Sequence, residues 1–394
     1  MNYIERTISG LVERSLLRGK SLFLFGARQT GKTTLANRLN PQLTISFVQD
    51  DVRQRYERKP SLLGGEVETL AVRSGESLPL VVLDEVQKVP AVTDVVQDLI
   101  DRGKAKFLLT GSSARKLRRY ARINLLPGRV VVLQLDPFSL SEWRDGTLED
   151  RLLDGSLPGI VSVESADDRD LDLTAYVTTY LEEEIRQEAI VRRLDHFARF
   201  LELAASESGQ IVNLSRLASE IGISHTTVAG YYQILEDCLI AERVEPLTAS
   251  ATRKKLTRSC RYLFFDSGVR RAAAREGRRQ PYARWGALFE QFIGLELLRF
   301  IHARGRRDRL RFWRDSDGPE VDWVLDFNGC YAPIEVKWTD SPTAADARHL
   351  RCFMSEYPTT GQGFVVCRAP HPLKLSDQIT AVPWQNFLDE LPWP

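Results

Sequence analysis

Two short stretches of this 394-residue chain carry residue types at spacings that do chemistry. "GARQTGKTT", residues 26–34, places Gly26, Gly31, Lys32 and Thr33 in the order G-x-x-x-x-G-K-[ST]. The glycines let backbone N–H groups turn inward around phosphate oxygens, at a helix N-terminus whose dipole favours anions. Lys32 carries positive charge to the β- and γ-phosphates, and the Thr33 hydroxyl is a ligand for Mg²⁺. Ala27, Arg28, Gln29, Thr30 and Thr34 complete the loop. "APIEVKW", residues 332–338, sets Glu335 and Lys337 two positions apart in an otherwise apolar strand, so both project from one face. Such a pair is either half of a metal site or an ion pair on a surface strand.

Further residues extend each stretch. "PLVVLDEVQ" ends an apolar run in Asp84 and Glu85. At that place an aspartate holds Mg²⁺, and the next glutamate activates the attacking water; helix capping is the bland alternative. "KFLLTGSS" closes on Thr110, either a sensor of the γ-phosphate or part of an ordinary turn. ATP with Mg²⁺ is the expected cofactor pair. Hydrolysis in a ring or dimer often needs an arginine from a neighbouring copy. Arg115, Arg118, Arg119, Arg122 and Arg129 are candidates; Arg129, just before a strand, is preferred.

Around the second stretch, "VDWVLDFNGCYAPIEVKW" reads as a hairpin about Asn328-Gly329, which places Asp322 opposite Glu335. Glu290 falls on an apolar helical stripe with Gly286, Ala287, Ile293 and Gly294, where a carboxylate is costly unless paired or metal-bound. Glu290, Asp322, Glu335 and Lys337 together have the make-up of a PD-(D/E)xK nuclease site, with Asp322 and Glu335 as Mg²⁺ ligands and Lys337 steadying developing negative charge. Glu296, with Arg299 three residues on, reads as a surface pair.

The elements that must position these residues fall into three parts: 1–150, 151–275 and 276–394. In the first, "SLFLFG", "TISFVQ", "LPLVVLDE", "AKFLLTGSS" and "GRVVVLQLDP" are apolar without alternation, as strands of a parallel sheet covered on both faces are. Residues 174–245 read as helical, with Ile185, Ala189, Leu194, Phe197, Leu201 and Ala204 on one rhythm. "VNLSRLASEIGISHTTVAGYYQ" has helix–turn–helix spacing, Gly222 taking the turn and Ser224 capping the second helix. His225, Thr226, Thr227 and Tyr231 would then face a DNA groove. "IAERVEPL" and "RYLFFDSG" form a wing tipped by Arg253, Lys254, Lys255 and Arg258, placed to meet phosphates. The last part is a helix followed by strands.

Charge supports a polyanion partner. Residues 252–311 hold 17 Lys+Arg against 5 Asp+Glu in a chain of net charge +1. A solvated, salt-bridged surface is the alternative. His196, His302 and His349 lack ligand spacing. No apolar run reaches ~18 residues, so no membrane span is expected. Five scattered cysteines and a charged N-terminal stretch fit a cytoplasmic protein.

In the order GARQTGKT, LVVLDEVQ, FLLTGSSA, LPGRVVVLQLDPFSLSEW, VTTYLEEEI, RYLFFDSGV, GALFEQFIGLEL and IEVKW, the chain resembles the prokaryotic AAA-like ATPases that carry a C-terminal domain of unknown function. The resemblance implies an α/β architecture: a P-loop NTPase parallel sheet, a helical winged-helix middle and a C-terminal PD-(D/E)xK nuclease-like α/β domain. The function expected is ATP hydrolysis coupled to action on DNA, with a metal-dependent nuclease at the C-terminus. The alternative is a nucleotide-gated DNA- or protein-binding switch whose nuclease-like fold is inactive.

Overall fold

The computed structural model describes residues 3–74, 77–112, 128–181, 194–248, 256–305, 308–315 and 318–391. The five apolar runs become β1 (Ser21–Phe25), β2 (Leu43–Ser46), β3 (Leu80–Asp84), β4 (Lys106–Gly111) and β5 (Val130–Gln134). They pair in parallel in the order β2-β3-β4-β1-β5. Alternate residues feed separate cores. Phe23, Val81, Leu83 and Leu109 enter one, while Leu22, Leu24, Val82 and Leu108 enter the other. That is why the runs are apolar throughout. Parallel strands all end at one edge, which gathers the loop after β1, Asp84 and Thr110 before helix α1 (Lys32–Arg38).

The helix–turn–helix forms from α2 (Leu214–Ile221) and α3 (His225–Asp237). Gly222, at φ 80°, ends α2, and Ser224 caps α3 by accepting from the Thr227 N–H. Leu217, Ala218 and Val228 are buried between the two helices. Of the rhythmic residues expected before them, Phe197, Leu201 and Ala204 are buried, Leu194 is exposed, and Ile185 and Ala189 lie outside the described residues.

The wing is not free. β6 (Ala241–Pro246) and β7 (Arg261–Phe264) make the expected antiparallel ribbon. β6 also runs parallel to β8 (Arg309–Arg314), through Glu245 opposite Arg311 and Pro246 opposite Phe312. With β9 (Glu320–Phe327), β10 (Cys330–Val336), β11 (Gly363–Cys367), β12 (Leu373–Ser376) and β13 (Ile379–Pro383), one eight-stranded sheet results, ordered β12-β13-β11-β10-β9-β8-β6-β7. It runs across the boundary expected at 275. Val244 and Leu263 of the ribbon share a core with Leu310, Phe312, Leu325 and Ile334, and that burial holds the ribbon down. Both shoulders of its connection are also tied to β8, Leu247 N–H to Phe312 O at 2.7 Å and Thr257 N–H to Arg314 O at 3.1 Å.

Helices α4 (Ser267–Ala273) and α5 (Tyr282–Arg304) join the parts through buried charge. Asp266, with no exposure, caps α4 by accepting from the N–H groups of Gly268 and Val269, and its second oxygen accepts from Ser156 N–H at 2.8 Å. Asp154, also buried, holds Arg169 at 2.8 Å, Arg278 at 2.6 Å and Arg271 at 3.3 Å. Glu296 and Arg299 are no surface pair. Glu296 has no exposure and accepts from Arg299 and from Leu140 N–H, both at 2.7 Å, because α5 lies under the segment leaving β5. No helix among the described residues is long and apolar enough to cross a membrane.

Gly155 threads this junction at φ 73°, and a Cβ there would lie 2.0 Å from Asp266 Oδ1. Gly155→Ala combines a left-handed backbone with a clash against a buried carboxylate. It should lower the free energy of unfolding by about 3 kcal/mol. Gly277→Ala, which meets no atom within 4 Å, is the control and should change it by less than about 0.5 kcal/mol in the same melts.

Candidate functional site

The loop after β1 closes on itself. A Cβ at Gly26 would lie 2.4 Å from Leu135 O and 2.8 Å from Thr30 Oγ1, so no larger residue fits. Gln29 and Gly31 take φ 63° and 94°, turning the chain into α1. Lys32, 5% exposed, points its Nζ at the carbonyls of Gly26 and Ala27, 2.9 Å from each. Thr33 and Thr34 are exposed at the start of α1.

Four hydroxyls and carboxyls converge where β2, β3 and β4 end. Thr33 Oγ1 donates to Asp84 Oδ1 at 3.2 Å, Thr110 Oγ1 to the same oxygen at 2.6 Å, and Ser46 Oγ to Asp84 Oδ2 at 3.2 Å. A hydroxyl touching a carboxylate is a hard-oxygen donor set that fits Mg²⁺, so Thr33 and Asp84 would hold it. Mg²⁺ bound there would supply charge neutralisation to phosphate oxygens. Thr110 is fully buried and also accepts the Glu85 N–H at 3.1 Å. Thr110 thereby ties Asp84 to the backbone of Glu85.

Glu85 sits at φ 56° and ψ 47°, a left-handed conformation that tertiary contacts must hold. Its Oε2 accepts from Ser112 Oγ at 3.0 Å and from Gln87 Nε2. Gln87 is 5% exposed, and its Oε1 packs where a Cβ of Gly111 would be, 2.8 Å away. Gln87 is the residue sequence reasoning missed, in the quoted string "DEVQ" two positions beyond Glu85; Ser112 lies in the quoted string "KFLLTGSS" just after Thr110 and Gly111.

Two more contacts reach the loop from afar. Buried Arg6 donates to Thr30 O at 2.7 Å and Asp136 O at 2.6 Å, and pairs with Glu142 at 3.2 Å. Tyr176 donates its hydroxyl to Arg28 O at 3.1 Å. Arg129 does not reach the loop of its own chain. It lies at the opposite edge of the sheet, beside the paired starts of β1 and β5, and binds Asp101 at 2.5 and 3.0 Å. Arg115, Arg118, Arg119 and Arg122 lie outside the described residues.

At the other end, the hairpin turns through Asn328 and Gly329 at φ 59° and 95°. Ile334 opposes Trp323, so Asp322 and Glu335 are neighbours, and Val336 N–H donates to Asp322 Oδ2 at 2.8 Å. Lys337 Nζ lies 2.6 Å from Glu335 Oε1. Glu290 arrives from α5 as expected, but its countercharge is an arginine. Arg261 Nη1 is 2.5 Å from Glu290 Oε1 and 3.3 Å from Asp322 O.

Asp322 and Glu335 are 7% and 3% exposed. Burial, then the Asp322 charge, pushes the Glu335 carboxyl up to about 8 against the pull of Lys337. Burial and Asp322 likewise push Glu290 up to about 7, with Arg261 opposing. Burial raises Asp322, again with Arg261 opposing. Among the described residues, no three His, Cys, Asp or Glu side chains converge as metal ligands. As arranged, the cluster does not fit Mg²⁺: Arg261, the Val336 N–H and Lys337 each hold one of its carboxyls. Glu335 Oε2 is buried with no hydrogen-bond partner. Arg261 had a signal too. In "RYLF" it shares a strand face with the core residue Leu263.

The middle region differs from expectation in two respects. Tyr231 is buried against Phe197 and Phe200, ring centres 5.0 and 5.3 Å away, so it cannot enter a groove. His225, Thr226 and Thr227 are exposed. Much of the basic run is also spent internally: Arg261, Arg270, Arg271, Arg278, Arg284, Arg299 and Arg311 all pair with carboxylates of the fold. Arg258 is exposed, and Arg253, Lys254 and Lys255 lie outside the described residues. His302 bridges Asp136 at 2.7 Å and Glu242 at 3.3 Å, a structural role.

Comparison with known proteins follows the same three-part order. Residues 18–144 match a family described as an AAA domain. Residues 145–280 and 285–387 match two domains of unknown function, DUF8612 and DUF4143. Uncharacterized proteins of Mycobacterium bovis and Mycobacterium tuberculosis are each 27% identical over 393 residues, covering 97% of this chain and 84% of theirs. An uncharacterized protein of Methanocaldococcus jannaschii is 21% identical over 330 residues, covering 72% of this chain and 69% of its own. The region that carries the phosphate loop on a five-stranded parallel sheet thus matches an AAA domain, and the C-terminal region matches a domain of unknown function, in the order of the AAA-like ATPases that the sequence resembles.

Proposed function

We propose that the chain binds and hydrolyses ATP and works as a nucleotide-gated switch, with its C-terminal fold silent as a nuclease. The hydrogen bond from Tyr176 to the Arg28 carbonyl carries this reading, because it joins the phosphate loop to the helical middle region. Phosphate binding reorganises the loop's backbone, so the carbonyl that Tyr176 holds is sensitive to occupancy. For hydrolysis, Lys32 and the loop N–H groups bind phosphates, Thr33 and Asp84 hold Mg²⁺, and Glu85 accepts a proton from the attacking water. Gln87 and Ser112 aim the Glu85 carboxylate.

The output partner is better read as protein than as DNA. The outward residues of α3 include His225, Thr226, Thr227 and Gln233, with no arginine or lysine to meet phosphates. The acid cluster, for its part, is already engaged: Arg261 holds Glu290, the Val336 N–H holds Asp322 and Lys337 holds Glu335, which disfavours a site needing free carboxylate ligands. Cleavage of linear or branched DNA in Mg²⁺ or Mn²⁺ by the wild-type chain would overturn the silent reading.

Three measurements follow. Lys32→Ala should abolish ATP binding. Glu85→Gln should keep binding while kcat falls about 10²-fold or more, and Gln87→Ala should lower kcat about tenfold with KM little changed, in steady-state turnover assays. Tyr176→Phe should hydrolyse ATP normally but lose the nucleotide-dependent change in hydrogen exchange across Leu214–Asp237; an unchanged response would break the proposed link. Finally, Glu290 and Glu335 titrate higher folded than unfolded, where a glutamate lies near 4.3. The folded chain therefore binds more protons between about pH 4 and 8, and loses stability as pH rises through that window. Melting temperature should fall from pH 5 toward pH 9, approximately, and Glu335→Gln should flatten the fall.

A further inference from the structure

We propose that the C-terminal carboxylate cluster is a seat for the Arg261 guanidinium, and that this seat excludes divalent cations. The inference deepens the silent-nuclease reading and rests on it.

The seat is built from several elements. Glu290 comes from α5, Asp322 and Glu320 from β9, Glu335 from β10 with Lys337 just beyond its end, and Arg261 from β7. Arg261 Nη1 touches the Glu290 carboxylate and the Asp322 carbonyl together. Its guanidinium lies 4.6 Å from the Phe312 ring centre and 5.2 Å from that of Trp323, and the residue is 5% exposed. Trp323 is fixed in turn by its Nε1–H bond to Glu290 O at 3.0 Å. A planar cation packed against aromatic rings and hydrogen-bonded to a carboxylate is held by shape as well as charge.

A divalent ion at Glu290 and Asp322 would meet that charge at close range in a medium of low dielectric. The backbone that carries Arg261 is pinned on both sides. Its strand pairs with β6, Val244 opposite Arg261, and β6 pairs with β8. On its other side Ile211 bridges Arg261, and Val212 N–H binds Cys260 O at 2.9 Å. The ligand of this cluster is therefore a side chain of the same molecule. The cluster docks the ribbon of the middle region onto the C-terminal sheet.

Mn²⁺ titrated calorimetrically into the full chain tests this. Each protein is compared with its Glu335→Gln counterpart, which cancels binding at the phosphate loop. The wild type should show no Glu335-dependent site below about 1 mM. Arg261→Met, which keeps length and apolar packing, should gain one at least about tenfold tighter than anything in the wild type. Arg261→Gln, which retains a donor for Glu290, should behave the same way and serves if the methionine variant does not fold. Glu335-dependent Mn²⁺ binding by the wild type overturns the proposal. So do folded Arg261 variants that bind no more tightly. DNA cleavage without Glu335-dependent Mn²⁺ binding would instead remove the silent-nuclease reading and leave the seat standing.

Discussion

The arrangement of the three regions depends on a seam of charge from which water is excluded. Asp154, Asp266 and Glu296 carry carboxylates at or below 2% exposure, and each is met by arginines or by backbone N–H groups. Buried charges tolerate little displacement, because a carboxylate that loses its partner keeps the full cost of leaving water. The seam therefore fixes geometry more than it adds stability. Residues 154–156 cannot leave α4 without stranding Asp266, and the segment around Leu140 cannot leave α5 without stranding Glu296.

The phosphate loop is wired into this seam. Arg6 spans from Thr30 to the backbone at Asp136 and to Glu142. A few residues on, the same segment gives its Phe138 carbonyl to Arg299 and its Leu140 N–H to Glu296. Tyr176 supplies a second, independent line from the loop into the helical region. Two routes of different kind leave one site. The Arg6 route runs through buried ion pairs, while the tyrosine route reaches the loop through its hydroxyl.

Local patterns disclosed most of the residues that gather at the ends of the parallel strands. The loop, Asp84 and Glu85 were legible because their chemistry requires adjacent residues at fixed spacing on the ends of strands. The five strands were legible because burial on both faces leaves an unbroken apolar run. What escaped was long-range. Nothing near Arg261 in sequence indicates Glu290, and nothing near Glu296 indicates Leu140, since those pairings arise only when separate elements meet. The internal partners of the basic run were hidden for the same reason. A run rich in arginine looks like a polyanion site until the fold supplies Asp154, Asp170, Glu276 and Glu290 as partners. Tyr231 misled because a helix–turn–helix pattern alone does not say which face neighbours such as Phe200 will cover.

Because β6 is a strand of two structures at once, the middle region and the C-terminal sheet have no seam along which they can be cut. Separating them near residue 275 would leave β8 with an unpaired edge of backbone N–H and C=O groups, flanked by Leu310 and Phe312. An edge of that kind pairs with whatever strand is available, including its own copies. The ribbon thus acts as a permanent selvedge, finishing the sheet so that it does not unravel into aggregation. Modular as the chain is in sequence, its last two regions are a single piece of cloth.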